Sequence, residues 1–156
     1  MRLSIIAVGT RMPTWVREGY DDYARRLKPR LPVTLNELPT AKRTAAGDDL
    51  RAVADEGRRI GSAIRRDDYV VALDERGRQR STVELSIWLG ERLREGRDTS
   101  LLIGGPDGFA PEVLQRAQES WSLSRMTLPH ALVRVLLIEQ LYRAVTILDG
   151  HPYHRE

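Results

Sequence analysis

Residues 99–113 read TSLLIGGPDGFAPEV. A run suited to a strand buried on both faces ends in paired glycines. It turns through Pro106-Asp107-Gly108 and enters a helix at Ala110-Pro111, with proline in the first turn. A strand that leads through a glycine turn into a helix is half of a crossover unit, and the rest of the chain repeats the pattern. LSIIAV (3–8) is a short strand run closed by Gly9. Met12-Pro13-Thr14 opens a helix with Trp15, Val16, Tyr20, Tyr23, Ala24 and Leu27 roughly on one side, stopped by Pro29 and Pro32. VTLNEL (33–38) alternates like a strand, a polar loop follows, and a second helix runs over about 48–64. YVVALD (69–74) is another doubly buried strand, followed by a charged turn, ERGRQR (75–80). Ser81 to Glu84 form a capping box ahead of a helix carrying Leu85, Trp88, Leu89 and Leu93, which Gly96 ends. A long helix spans about 131–148. Strands alternating with helices predict parallel pairing and an open α/β sheet. Ligands of such sheets sit beyond the carboxyl ends of the strands. That edge holds Leu73-Asp74, Gly104-Gly105 and the segment after WSLS.

The 156 residues are 41% hydrophobic and 30% charged, which suits one folded domain and excludes disorder by composition. There is no cysteine, so disulfides and thiolate metal sites are excluded. MRLSIIAVGT is too short an apolar run for a signal sequence, and no run reaches membrane-spanning length, so a cytoplasmic protein is expected. Residues 1–66 hold 14 basic and 8 acidic side chains, residues 67–156 hold 11 and 14. A basic first half suits a polyanionic partner; solvated helix faces would give the same balance.

Paired glycines admit a ligand close to the backbone, a nucleotide cofactor being one candidate. The pattern is GGxxG, neither the dinucleotide fingerprint GxGxxG nor a P-loop. A tight turn needing positive φ would also explain it. WSLSRMTLP is too apolar for a solvated loop and too irregular for one strand; it suits the lining of a flat ring, or a plug of the core. Val135-Leu136-Leu137-Ile138 makes the last helix apolar most of the way round, which points to a subunit interface. On that helix Glu139 and Arg143 stand four apart, the favourable order for a pair, and their setting suggests the mouth of a site. The chain ends HPYHRE. His151, His154 and Glu156 invite a metal reading, but only His130 could add a further histidine.

IGGPDGF, SLSRMTLPH, VRVLLIEQLYRA and HPYHRE, in that order, together with LSIIAVGTRMPTWV and YVVALDERG, resemble the large-subunit rRNA pseudouridine N3-methyltransferases, the small single-domain members of the SPOUT class. The resemblance covers essentially the whole chain; residues 40–66 carry no matching motif. It implies a SPOUT-type α/β fold, an open and mostly parallel sheet flanked by helices, over residues 1–156. It also implies a deep C-terminal trefoil knot, with knot and cofactor site in about 99–156. It implies a homodimer, S-adenosylmethionine as methyl donor, no metal, and a pseudouridine in the helix 69 loop of 23S rRNA as acceptor, methylated in assembled 70S ribosomes. The implied cofactor residues are Leu73, Gly104, Gly105, Leu123, Ser124, Arg125, Met126, Thr127 and Leu128. Arg143, Tyr153 and His154 match positions tied to substrate binding or catalysis, and His130 is a weaker candidate. The terminal segment would then be held at the cofactor mouth near the partner subunit. Two other readings remain: a non-catalytic RNA- or ribosome-binding module on the same scaffold, and a SPOUT methyltransferase acting on tRNA.

Overall fold

The computed structural model describes residues 1–155; Glu156, the acidic member of the metal reading, lies outside them. Five strands form one sheet: β1 (Leu3–Val8), β2 (Val33–Leu38), β3 (Tyr69–Gln79), β4 (Thr99–Ile103) and β5 (Glu119–Ser122). Their order is β2-β1-β4-β3-β5 and every pairing is parallel. The helices are α1 (Thr14–Leu27), α2 (Asp48–Ala63), α3 (Thr82–Glu95), α4 (Pro111–Arg116) and α5 (His130–Leu148), and a 3₁₀ turn follows at Pro152–His154.

Side chains alternate across a strand, and that alternation builds two cores. Leu3, Ile5 and Ala7 of β1, with Val71, Leu101 and Ile103, face α1, α3 and α5. Ile6 and Val8, with Val70 and Leu102, face α2 and α4. Both faces of β1 and β4 are covered, which is why these strands read as continuous apolar runs. The expected capping box forms: Ser81 Oγ accepts from Glu84 N (3.1 Å) and Glu84 accepts from Ser81 N (2.7 Å).

Two expectations need correction. The segment Glu75–Arg80 is not a simple turn. β3 continues to Gln79 past a bulge, so that Trp121 of β5 lies opposite both Leu73 and Arg78. Gly77 makes this possible: a Cβ there would lie 2.5 Å from Trp121 N and Ser120 C, so β5 passes against bare backbone. Charges hide this strand from a periodicity reading because the bulged part faces solvent. Second, Trp15 does not share the buried stripe of α1; it is 58% exposed, while Val16, Tyr20 and Leu27 are buried.

Helix α5 lies against α1 and α3 of its own chain. That buries Leu137, Ile138, Leu141, Ala144 and Val145 without a second subunit; Leu132, Val135 and Leu136 stay half-buried. Among the described residues no helix is long and apolar enough to cross a membrane.

The aromatic end of the larger core is organised by one carboxylate. Glu119 accepts hydrogen bonds from Tyr69 Oη (2.6 Å), Trp88 Nε1 (2.8 Å), Trp121 Nε1 (3.0 Å) and the Arg80 guanidinium. Trp88 and Trp121 meet edge to face at 4.5 Å. Burial would raise the pKa of Glu119, but the donors outweigh it and hold the group at about 2. A glutamate free of such contacts titrates near 4.5, so the stabilisation is complete above that pH and is lost as pH falls towards 2. The difference corresponds to on the order of 3 kcal/mol. Urea unfolding across this acid window is expected to show a steep loss of stability in the parent and a flatter profile in Glu119→Gln. Parallel profiles would contradict the assignment.

Candidate functional site

The parallel register sets Ile103, Leu73 and Trp121 side by side at the carboxyl ends of β4, β3 and β5. Above them opens a cleft of about 500 Å³. Its floor is the strand ends, one wall is the turn Gly104–Gly108, and the other is the loop that follows β5. Of the residues singled out from the sequence, Leu73, Gly104, Gly105, Leu123, Ser124, Met126, Thr127 and Leu128 line this one cleft. Arg125 is exposed and is not in the lining. The loop is shaped by its own polar groups: Ser122 Oγ donates to Ser124 O (2.7 Å), and Ser124 Oγ accepts from Met126 N (2.9 Å). That bend leaves Met126 77% exposed at the mouth.

The glycines serve a purpose that the sequence did not reveal. Gly108 alone in the turn has positive φ (79°). Gly105 is needed because the protein itself approaches it, and Gly104 is tightly approached. A Cβ on Gly105 would lie 2.9 Å from Glu56 Oε2 and 3.1 Å from Val8, and one on Gly104 would lie 3.3 Å from Gly108 O. The turn closes through Gly108 N donating to Gly105 O (3.1 Å).

The lining is mixed, and its apolar side chains, Ile103, Phe109, Leu114, Leu128 and Val133 among them, suit a flat ring or aliphatic chain. Its charged groups are three carboxylates, Asp74, Glu75 and Asp107, against one guanidinium, Arg76, and Asp107 is also paired with Arg43 from behind. The balance favours a ligand carrying positive charge. His130, in the first turn of α5, also lines the cleft. Burial, then the Arg134 guanidinium, lowers its pKa, which favours the neutral ring. Arg134 is a functional-looking residue that sequence reading missed. It is 1% exposed and donates to Gly9 O (2.6 Å) and Val8 O (3.3 Å) while paired with Glu37. It ties the start of α5 to the ends of β1 and β2.

Arg143, Tyr153 and His154 lie elsewhere. Arg143 lies thirteen positions after His130 on α5, which is about 20 Å along the axis. There Glu139 accepts from Arg143 Nε (2.9 Å) and Tyr153 Oη (3.2 Å). The Arg143 guanidinium stacks over the Tyr153 ring at 4.9 Å, and Tyr142 meets that ring edge-on at 4.7 Å. Burial, with Tyr23 and Glu139 beside it, pushes the Tyr153 hydroxyl well above its usual pKa and keeps it a donor. The terminal segment is anchored to its own helix: His151 N donates to Thr146 O (2.8 Å), and Arg30 holds Asp149. His154 Nδ1 is buried with no partner among the described residues. His151 Nδ1 accepts from Tyr153 N (3.2 Å). No group of three or more potential metal ligands occurs among the described residues.

A family model described as "Predicted SPOUT methyltransferase" matches residues 1–154. The protein called ribosomal RNA large subunit methyltransferase H in Methylococcus capsulatus is 54% identical, over 99% of this chain and 100% of that one. The protein of the same name in Alkalilimnicola ehrlichii is 52% identical, over 99% of each. Among solved structures, a probable methylase family protein from Haemophilus influenzae superposes with a TM-score of 0.60 at 14% identity, covering 99% of this chain and 70% of that one. A probable methyltransferase from Bordetella pertussis gives 0.59 at 16% identity, covering 92% and 94%. These two likenesses bear on the fold alone.

The tightness behind the turn is directly testable. Gly105→Ala is expected to cost ~1–3 kcal/mol in chemical denaturation, because Glu56 and Val8 must move. Gly61→Ala on α2, with nothing within 4 Å, is expected to be neutral or to stabilise by ~0.5–1 kcal/mol. Equal effects would contradict the close approach.

Proposed function

Because this chain belongs to the SPOUT methyltransferase family, we propose that it methylates large-subunit ribosomal RNA, with S-adenosylmethionine as donor. The acceptor is N3 of a pseudouridine in the helix 69 loop of 23S rRNA, presented by the assembled 70S ribosome. The observation that carries the reading is the cleft where three parallel strands end, lined by apolar side chains and by more carboxylates than cations. Its chemistry fits a donor with a flat adenine, a cationic sulfonium and an ammonium group. Leu73, the Gly104–Gly108 turn and the loop from Leu123 to Leu128 would hold it; Arg125, outside the lining, would act only from the rim. When bound, the donor supplies an electrophilic methyl group. The chain's own residues supply what N3 lacks. This nitrogen carries a weakly acidic proton that must leave before or during attack, and the negative charge left on the base needs a counter-charge.

Arg143 provides a cation whose orientation Glu139 fixes, and Tyr153 a hydroxyl kept protonated, so both suit the oxygens of the deprotonated base. His154 is the proposed proton acceptor. Within one chain Arg143 stands about 20 Å along α5 from His130 at the cleft, and Tyr153 packs on Arg143. One chain therefore does not bring them to its own cleft. We assign the complete site to a homodimer in which one subunit's terminal segment meets its partner's cleft, the half-buried Leu132, Val135 and Leu136 of α5 offering apolar surface for the contact. The base would enter between the two.

The decisive experiment supplies labelled donor with 70S ribosomes lacking the modification, and with free 23S rRNA and tRNA in parallel. Label at a helix 69 pseudouridine, with ribosomes only, is the expected result. Label on tRNA instead would assign the chain to tRNA, and no label without donor binding would favour a ribosome-binding module. His154→Ala is expected to bind donor normally and to turn over about 10²–10⁴-fold more slowly; parent-like turnover would remove His154 as proton acceptor. Mixing an Arg143→Ala protein with one disabled in the cleft is expected to restore activity to about a quarter of the parent's, since half the dimers are mixed and each holds one intact site. No recovery after verified subunit exchange would contradict a site shared between chains.

A further inference from the structure

We propose that Glu56 and Arg43 are positioning residues for the cofactor turn, holding Gly105–Gly108 from behind through Asp107; this rests on the reading of the cleft as the donor site.

Glu56 occupies an anomalous position. The buried stripe of α2 is Ala52, Glu56 and Ile60, so a carboxylate stands where an apolar side chain would pack, at 1% exposure. Both its oxygens are engaged. Oε1 accepts from Ala41 N (3.1 Å) and Arg43 Nη1 (2.7 Å), and Oε2 from Arg43 Nη2 (3.3 Å). The same guanidinium reaches forward, Arg43 Nε donating to Asp107 Oδ2 (2.7 Å), and Asp107 lines the cleft. Arg43 Nη1 also donates to Ala41 O (3.1 Å), which curls the chain at Ala41–Arg43 around the guanidinium. Meanwhile Glu56 Oε2 lies against the bare Cα of Gly105, and Gly57 lies against Ala110 at the entry to α4, where a Cβ would come within 2.8 Å. The turn is thus fixed at both ends by contact with α2 and at its middle by a charged bridge.

A buried ion pair is a poor device for stability alone, since apolar residues of similar volume do as well or better. Its advantage is direction: a planar guanidinium joining two carboxylates specifies where each sits. Here it specifies the place of Asp107 and, through the short turn, of the Gly104–Gly108 backbone. Glu56 does not line the cleft, so any effect it has on the donor acts through the turn. The stretch 40–66, which carries no family motif, thereby acquires a role in the site.

The test measures donor affinity by calorimetry, at a temperature where each variant is folded. Glu56→Gln and Arg43→Gln are expected to weaken binding about tenfold, with the loss in KM for the donor rather than in kcat, and Arg43→Lys to recover part of it. Amide exchange at Gly108, whose N–H closes the turn, is expected to accelerate while that of β4 does not. Asp107 lines the cleft and could touch the donor itself, so a double-mutant cycle separates the two roles. If it acts through Arg43, adding Asp107→Asn to Arg43→Gln costs little more than Arg43→Gln alone. Folded variants with parent-like affinity and parent-like Gly108 exchange would overturn the inference. So would fully additive losses. Should the two Gln variants fail to fold, Asp107→Asn leaves the Glu56–Arg43 pair intact, and unchanged Gly108 exchange in it would be equally fatal. Failure of the parent to bind donor would overturn the reading of the cleft, and this inference with it.

Discussion

Everything in this molecule depends on the sheet being parallel throughout. In a parallel sheet all the strands end at one edge, and each return crosses a face as a helix or loop. That single constraint puts the ends of β3, β4 and β5 in register and leaves a floor of Leu73, Ile103 and Trp121. It also commits both faces of the central strands to burial. The turns that leave the edge then have to be shaped by whatever stands behind them, since no strand partner is left to fix their backbone.

The protein solves that problem with charge as well as with apolar packing. Two buried or half-buried ionic centres stand at this edge, Arg134 behind the β1 end and Glu56 with Arg43 behind the β4 turn, and a third, Glu119, stands at the start of β5. Each joins elements far apart in sequence, and each lies within a few residues of a strand end. Side-chain charges cost desolvation, so hydrogen bonds must satisfy them. Satisfied, they specify direction in a way that leucines do not. The glycines complement them. Gly77 and Gly105 lie where backbone or a carboxylate passes too close for a Cβ.

Much of this was legible in the sequence. Uninterrupted apolar runs marked β1, β3 and β4, the capping box marked α3, and alternation of strand and helix gave the parallel sheet and its working edge. Pairing the turn after β4 with the apolar loop after β5 was correct as geometry. What failed did so for physical reasons. The outer half of β3 is charged because it faces solvent, so it read as a turn. Trp15 fits a helical stripe by spacing alone, yet points out. The glycine pair lines the cleft as expected, but the pattern gave no sign that Glu56, Val8 and the turn's own backbone also crowd the place where a Cβ would stand. Glu56 and Arg134 gave no signal at all, because a lone charge on a helix looks solvated until its partners 13 and 97 residues away are known. Threading of one segment through another leaves no mark on hydrophobic periodicity, so a knot could be expected only from resemblance.

The cleft and the Arg143 cluster are separate in one chain, and the cleft is the proposed donor site. The most direct test is to titrate the protein with S-adenosylhomocysteine and follow backbone amides by NMR. The largest shifts are predicted at Leu73, at Gly104–Gly108 and from Leu123 to Leu128. Shifts confined to the smaller pocket beside Tyr20, Glu37 and Arg134, or none at the strand ends, would contradict it.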